Sequence, residues 1–282
     1  MTELVCAPIT PFSDDGTLDL HGTRTLFEAI LASGIGSVFT PGTTGEFTAL
    51  SDDERLAVIG CALEVFGPQG VYAHVGAATA RQAVALARRA GQLGGRRLAA
   101  ITPYYLTAGP LSVAEYYREL AAAVLGAELY VYVFPARATT TVSPGELAEL
   151  ARIPGVVGAK ISGLSTPEVI EYIRAVPSGF RVLAGNDADL IGLAAAGGAG
   201  VVSGVSGVFP APFVRAVGEL DAGTDASYLQ PEIDRAVAAV GAGNIRLLKA
   251  ATQLRGLAAG PVRVSIDPPA EAQLAELRQA LA

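Results

Sequence analysis

Short apolar runs of four to six residues recur along the chain, each followed by a stretch rich in Gly, Pro and Thr and then by a longer segment of helical period. The runs are LVCAPI (4–9), GSVF (36–39), VYAHVG (71–76), LAAIT (98–102), LYVYVF (129–134), GVVGAK (155–160), RVLAG (181–185) and GVVSGV (200–205). Most lack strict alternation of apolar and polar positions, the pattern of parallel strands buried on both faces. Helix-start signals open the segments between them. Ser51 precedes Glu54 by three residues, as do Thr79 and Gln82, Ser112 and Glu115, Ser143 and Glu146, and Ser165 and Glu168. Each pair predicts a capping box, in which the hydroxyl and the longer side chain satisfy backbone amides left free at the helix start. Pro144 and Pro167 fall where a missing amide hydrogen costs little. In the first helix Leu26, Phe27, Ile30 and Leu31 are expected on one apolar face.

Eight rounds of strand, loop and helix in about 205 residues predict an α/β fold, the (β/α)8 TIM barrel. A doubly wound sheet is the alternative, but no G-x-G-x-x-G follows the first strand. Beyond residue 210 the strand signal stops, and 211–220, 229–240, 244–257 and 270–281 read as helices. No hydrophilic linker intervenes. The expected organisation is therefore a catalytic barrel over 1–210 with a C-terminal helical extension, 211–282, packed on it.

Composition narrows the function classes. The 282 residues are 51% hydrophobic and 17% charged, which supplies a large core and excludes global disorder. A net charge of −7 argues against nucleic acid, because phosphate neutralisation needs a basic surface. Two cysteines, Cys6 and Cys61, make a disulfide scaffold unattractive and suggest a reducing compartment. The N-terminal segment carries Glu3 and no long apolar run, so it does not read as a signal peptide, and no run of about 18 apolar residues suggests a membrane span. A cytoplasmic protein without membrane partners is expected.

Several chemistries lack their residues. His21 and His74 cannot form an H-x-x-x-H pair, no C-x-x-C occurs, and neither G-x-S-x-G nor G-x-x-x-x-G-K-[ST] is present, so no metal or nucleotide cofactor is expected. His74, inside an apolar run, reads as a satisfied core residue. Lysine is more informative. Of 20 basic residues only Lys160 and Lys249 are lysine. Lys249 lies in the helical stretch NIRLLKAATQLRG, where a solvated face explains it. Lys160 ends a buried strand, where arginine has not been used, and an amine can lose its proton and attack a carbonyl as guanidinium cannot. A buried lysine paired to a carboxylate is the competing explanation. Two other strand ends bear on the choice. The loop Gly42-Thr43-Thr44-Gly45-Glu46 offers hydroxyls and amides that can bind a carboxylate. Tyr132, in YVYVFPAR, places a phenol where it can shuttle a proton near a lysine imine.

With these motifs in order, APITPF (7–12), PGTTGEFTALSDDER (41–55), ITPYY (101–105), Tyr132-x-x-Pro135, VVGAKISG (156–163), LAGND (183–187), GGAGVVSG (197–204) and GPVR (260–263), the chain resembles the dihydrodipicolinate synthase / N-acetylneuraminate lyase family of class I, pyruvate-handling aldolases over nearly its whole length. The resemblance implies that Lys160 forms the Schiff base with pyruvate or another 2-oxo acid, and that Tyr132 moves protons at the imine and the aldol hydroxyl. It further implies that Thr43 links Tyr132 to Tyr105, which is lent across a subunit interface of a homotetramer built as a dimer of dimers. Thr44 and the loop amides would hold the substrate carboxylate, while Ala184, Gly185 and Val202 line the wall. The covalent imine would replace any cofactor.

The likeness has departures. The synthases usually carry Y-N-x-P-x-R-T-G, whereas this chain reads Tyr132-Val133-Phe134-Pro135-Ala136-Arg137-Ala138-Thr139, Ile161 follows the lysine in place of an acid, and LTAGPLS is less polar than usual. Arg137 survives, and the resemblance implies that it holds an anionic acceptor; bracing its loop is the other reading. The expectation is thus a lyase or aldolase joining or parting pyruvate and an aldehyde. Dihydrodipicolinate synthase itself, which condenses pyruvate with aspartate semialdehyde, is the runner-up, and a catalytically silent barrel that binds a 2-oxo acid is a third reading.

Overall fold

A computed structural model describes residues 1–281. Eight strands, β1 (Glu3–Cys6), β2 (Ser37–Thr40), β3 (Val71–His74), β4 (Arg97–Ile101), β5 (Glu128–Val133), β6 (Val156–Ile161), β7 (Arg181–Ala184) and β8 (Gly200–Ser203), lie within or beside the eight apolar runs. They pair in parallel in chain order, and β1 pairs with β8 to close the barrel. Around it run α1 (Leu20–Ala32), α2 (Asp52–Phe66), α3 (Ala80–Gln92), α4 (Pro110–Ala123), the single turn α5 (Pro135–Ala138), α6 (Pro144–Leu150), α7 (Thr166–Ala175), α8 (Leu190–Ala195) and α9 (Pro210–Asp221). Then follow α10 (Gln230–Ala239), α11 (Ile245–Leu254) and α12 (Glu271–Leu281). The division expected at residue 210 falls at the start of α9. That helix packs on α8 and β1, so it takes the place of the eighth barrel helix and the appended layer begins after it.

Local signals explain the helix starts. Ser51–Glu54, Ser143–Glu146 and Ser165–Glu168 form capping boxes, and Thr79 accepts from the Gln82 amide, each a contribution of about 1 kcal/mol. Ser112 differs from expectation. Pro110, with its fixed φ, starts α4 behind Gly109, so Ser112 sits inside the first turn. On α1, Leu26, Phe27 and Ile30 are buried, whereas Leu31 lies at the edge of that stripe and is 42% exposed.

The core has two layers, as a closed sheet requires. One fills the space between strands and helices. The other fills the barrel itself with Val5, Phe39, Tyr72, Ala99, Ile101, Tyr130, Tyr132, Leu183 and Val202. At the N-terminal end Glu3 closes the barrel, accepting from Tyr72 at 2.6 Å and pairing with Arg181 at 2.5 Å. At the C-terminal end the bonding is different. Lys249 is not on a solvated face: it is 2% exposed, and its ammonium lies 2.9 Å from the Glu46 carboxylate. Helical period places Lys249 on one side of α11 but cannot say that the loop after β2 covers that side. Burial pulls its pKa down, and Glu46 opposes the shift.

Candidate active site

Strand register brings the two reactive side chains together. Tyr132 on β5 and Lys160 on β6 are direct partners, and both point into the barrel near its C-terminal mouth. Lys160 Nζ lies 4.3 Å from the centre of the Tyr132 ring and 4.4 Å from that of Phe39. No carboxylate pairs with it, so the explanation of Lys160 as a buried ion-pair lysine has no partner among the described residues. The Tyr132 hydroxyl is 3.1 Å from Thr43 Oγ1.

These groups open into a cavity of about 380 Å³ lined by Thr43, Thr44, Tyr132, Arg137, Lys160, Gly185 and Val202, seven of the ten site residues expected above. Gly42 is not on its surface. It turns the loop instead: its carbonyl accepts from Phe47 N at 3.2 Å, and a Cβ there would meet the Phe39 ring at 3.0 Å. Ala184 also lies behind the wall, while Gly185 is needed at it, because an added methyl would run into Ser162 Oγ and crowd Lys160 Cε. Arg137 is exposed, and its guanidinium makes no hydrogen bond or ion pair among the described residues; it sits 5.8 Å from the Phe134 ring centre. It does not brace its loop through polar contacts.

Tyr105 is absent from this cavity. It is 88% exposed with φ +74°, a left-handed conformation that costs a tyrosine on the order of 1 kcal/mol or more. Its neighbour Tyr104 turns inward, its ring 5.8 Å from that of Phe47. Together with Ile101, Ile245, Val264 and Ile266 these rings line an apolar annex of about 230 Å³ that shares Thr43 and Arg137 with the main cavity. Among the described residues the non-glycine positions of positive φ, Glu46, Tyr105, Thr139 and Ala242, all lie on loops around this mouth. Backbone strain collected at one end of a barrel marks that end as functional.

His74 is the satisfied core residue that its run suggested. Nδ1–H donates to the Pro41 carbonyl at 3.0 Å and Nε2 accepts from Ile101 N at 3.3 Å, an assignment made from the partners. Burial, with the Arg55 and Lys160 charges nearby, holds its pKa well below the usual range, so it is neutral.

Several wall residues escaped the sequence reading. Ser162, the residue just past the end of β6, follows Lys160 by two and therefore shares its face, a signal that strand period could have exposed. Asp187 ends the LAGND motif. Ser203 Oγ and Val205 N donate to its Oδ1 at 2.5 and 2.9 Å, and burial raises its pKa. Asn244, Ile245, Ile266 and Asp267 come from the C-terminal layer, and no local pattern announces them. Among the described residues no three His, Cys, Asp or Glu side chains gather into a metal site, and no helix is long and apolar enough to cross a membrane.

What this arrangement can do is covalent carbonyl chemistry: a primary amine, a phenol, and a hydroxyl-rich loop surround one small cavity. Known proteins share the frame. The profile of the dihydrodipicolinate synthetase family matches residues 1–282. The 4-hydroxy-tetrahydrodipicolinate synthase of Methanoculleus marisnigri is 33% identical over 282 residues, covering 98% of this chain and 96% of that one. Among solved structures, the Thermotoga maritima dihydrodipicolinate synthase superposes with a TM-score of 0.92 at 27% identity, over 100% of this chain and 97% of that one. YagE, a prophage protein of the same family from E. coli K12 solved with pyruvate, gives 0.91 at 25% identity, over 99% and 97%.

Proposed function

The chain belongs to the dihydrodipicolinate synthetase family, and from that premise we propose that it is a class I lyase or aldolase, making or breaking a carbon–carbon bond between pyruvate and an aldehyde through an imine on Lys160. The observation that supports this most is the Lys160 amine beside Tyr132, whose hydroxyl is bonded to Thr43. In this reading Nζ adds to the keto carbon of pyruvate, and the keto oxygen leaves as water. The imine then accepts the electron pair released when a proton leaves the pyruvate methyl. The enamine carbon adds to the aldehyde carbon, Tyr132 delivers a proton to the new alkoxide, and water hydrolyses the product imine to return the amine. Cleavage is the reverse. Thr43 orients Tyr132, Thr44 holds the pyruvate carboxylate, and no cofactor is required.

The outer cavity supports an acceptor that carries hydroxyl groups. Ser162, Asp187, Asn244 and Asp267 line it, offering carboxylate, amide and hydroxyl oxygens as acceptors. Arg137, a guanidinium without a polar partner among the described residues, favours the second reading, an acceptor with its own carboxylate such as aspartate semialdehyde. A panel of aldehydes assayed by pyruvate consumption separates them. Small hydroxylated aldehydes are expected to lead; aspartate semialdehyde as the best partner establishes the synthase instead, and no consumption with any aldehyde removes the aldolase reading.

We also propose that the working unit is an oligomer in which Tyr105 serves a neighbouring subunit. Tyr105, Leu106 and Leu111 are 88%, 76% and 86% exposed at one tip, an apolar surface unusual for a monomer. The annex beside Thr43 has room for a ring of the partner subunit, and family likeness favours two such dimers as a tetramer. Light scattering at micromolar concentration is expected to give a multiple of the chain mass; a monomer removes the shared site.

A further inference from the structure

The loop that carries Thr43 and Thr44 is held from outside the barrel. Glu46 closes it: its amide donates to the Thr43 carbonyl at 3.0 Å, its backbone is left-handed at φ +54°, and the residue is 1% exposed. Every polar partner of its carboxylate belongs to the C-terminal layer. Oε2 accepts from the amides of Arg263 at 2.7 Å and Val264 at 2.9 Å, and Oε1 faces the Lys249 ammonium at 2.9 Å. Lys249 also donates to the Pro261 carbonyl, and Arg263 donates to the carbonyls of Gly16 and Ala49 and to both oxygens of Glu54. Residues 261–264 thus form a strap tied to one buried carboxylate, and the chain leaving that strap supplies Ile266 and Asp267 to the cavity wall.

We propose that Glu46 and Lys249 are a positioning pair for the substrate-carboxylate loop, through which the C-terminal layer fixes Thr43 and Thr44. Neither residue touches the cavity; they act on substrate through the loop. Burying two charges is seldom a net gain in stability over apolar packing, so an ion pair kept here points to geometry. The proposal rests on the reading of Lys160 as the imine-forming residue.

The test is borohydride trapping of pyruvate on Lys160, followed by intact mass across a pyruvate titration. A purely structural pair changes how much folded protein there is, and hence the plateau. A positioning pair changes the half-saturating concentration. Lys249→Met is expected to raise that concentration about tenfold or more, as small misplacements of binding groups do, with trapping still complete at saturation. Lys249→Arg, which keeps the charge, is expected to recover most of the loss. If Lys249→Met does not fold, the isosteric Glu46→Gln is expected to shift the concentration in the same direction. A folded Lys249→Met or Glu46→Gln with an unshifted half-saturation, and only a lower melting temperature, overturns the pairing role. Wild-type protein that traps no pyruvate overturns the reading of Lys160, and this inference with it.

Discussion

Replacing Lys160 by Arg is expected to abolish both turnover and covalent capture of pyruvate. With borohydride present, the wild-type chain gains the mass of one reduced pyruvyl group, and peptide mapping places it on Lys160; the variant gains nothing. The reason is chemical rather than steric. Guanidinium stays protonated at neutral pH and offers no nucleophilic lone pair, while the long side chain and its charge are kept. The only other lysine cannot substitute, because Lys249 is 2% exposed and committed to Glu46. An adduct confined to Lys249, or none in the wild type, defeats the imine mechanism. Capture on Lys160 without turnover of any aldehyde identifies a silent barrel that binds a 2-oxo acid.

How much of this was legible beforehand depended on how local each feature is. The barrel follows from eight apolar runs, because a strand buried on both faces writes its burial into its own composition. Lys160 stood out through the scarcity of lysine, and Thr43, Thr44 and Tyr132 through their places at strand ends; register then set Lys160 opposite Tyr132. Lys249 was misread for a physical reason. A helical period defines faces relative to the helix, and which face is covered depends on a loop far away in the chain. The same holds for Asn244, Ile266 and Asp267, which become wall residues only when the C-terminal layer folds over the mouth. The motif around Gly42 suggests a substrate contact, yet its backbone turns the loop while its neighbours face the cavity. Tyr105 is a different case. Family likeness alone named it, and in this structure its side chain is exposed, its backbone is left-handed, and it lies outside the cavity of its own barrel.

Tyr132→Phe is expected to lower turnover by about two to four orders of magnitude, the usual size of a general acid–base contribution, while the fold survives. The ring is 1% exposed and packs edge-on against Phe39 and His74, with centroids 5.4 and 5.9 Å apart, contacts that phenylalanine keeps. The deleted oxygen has one hydrogen-bond partner, Thr43 Oγ1, which lines the cavity and can turn to water. Melting temperature should therefore change little, because no buried polar group is orphaned. The capture experiment isolates the defect. Lys160 keeps its amine in the variant, so pyruvate is still trapped by borohydride, but more slowly, since Tyr132 no longer moves protons as water leaves the keto carbon. His74 cannot take over, for it is neutral with both ring nitrogens engaged by Pro41 and Ile101. Turnover that stays at the wild-type rate makes Tyr132 a packing residue and sends the search for the proton donor to Asp187, the buried carboxyl of the cavity wall after β7 whose pKa is already raised by burial.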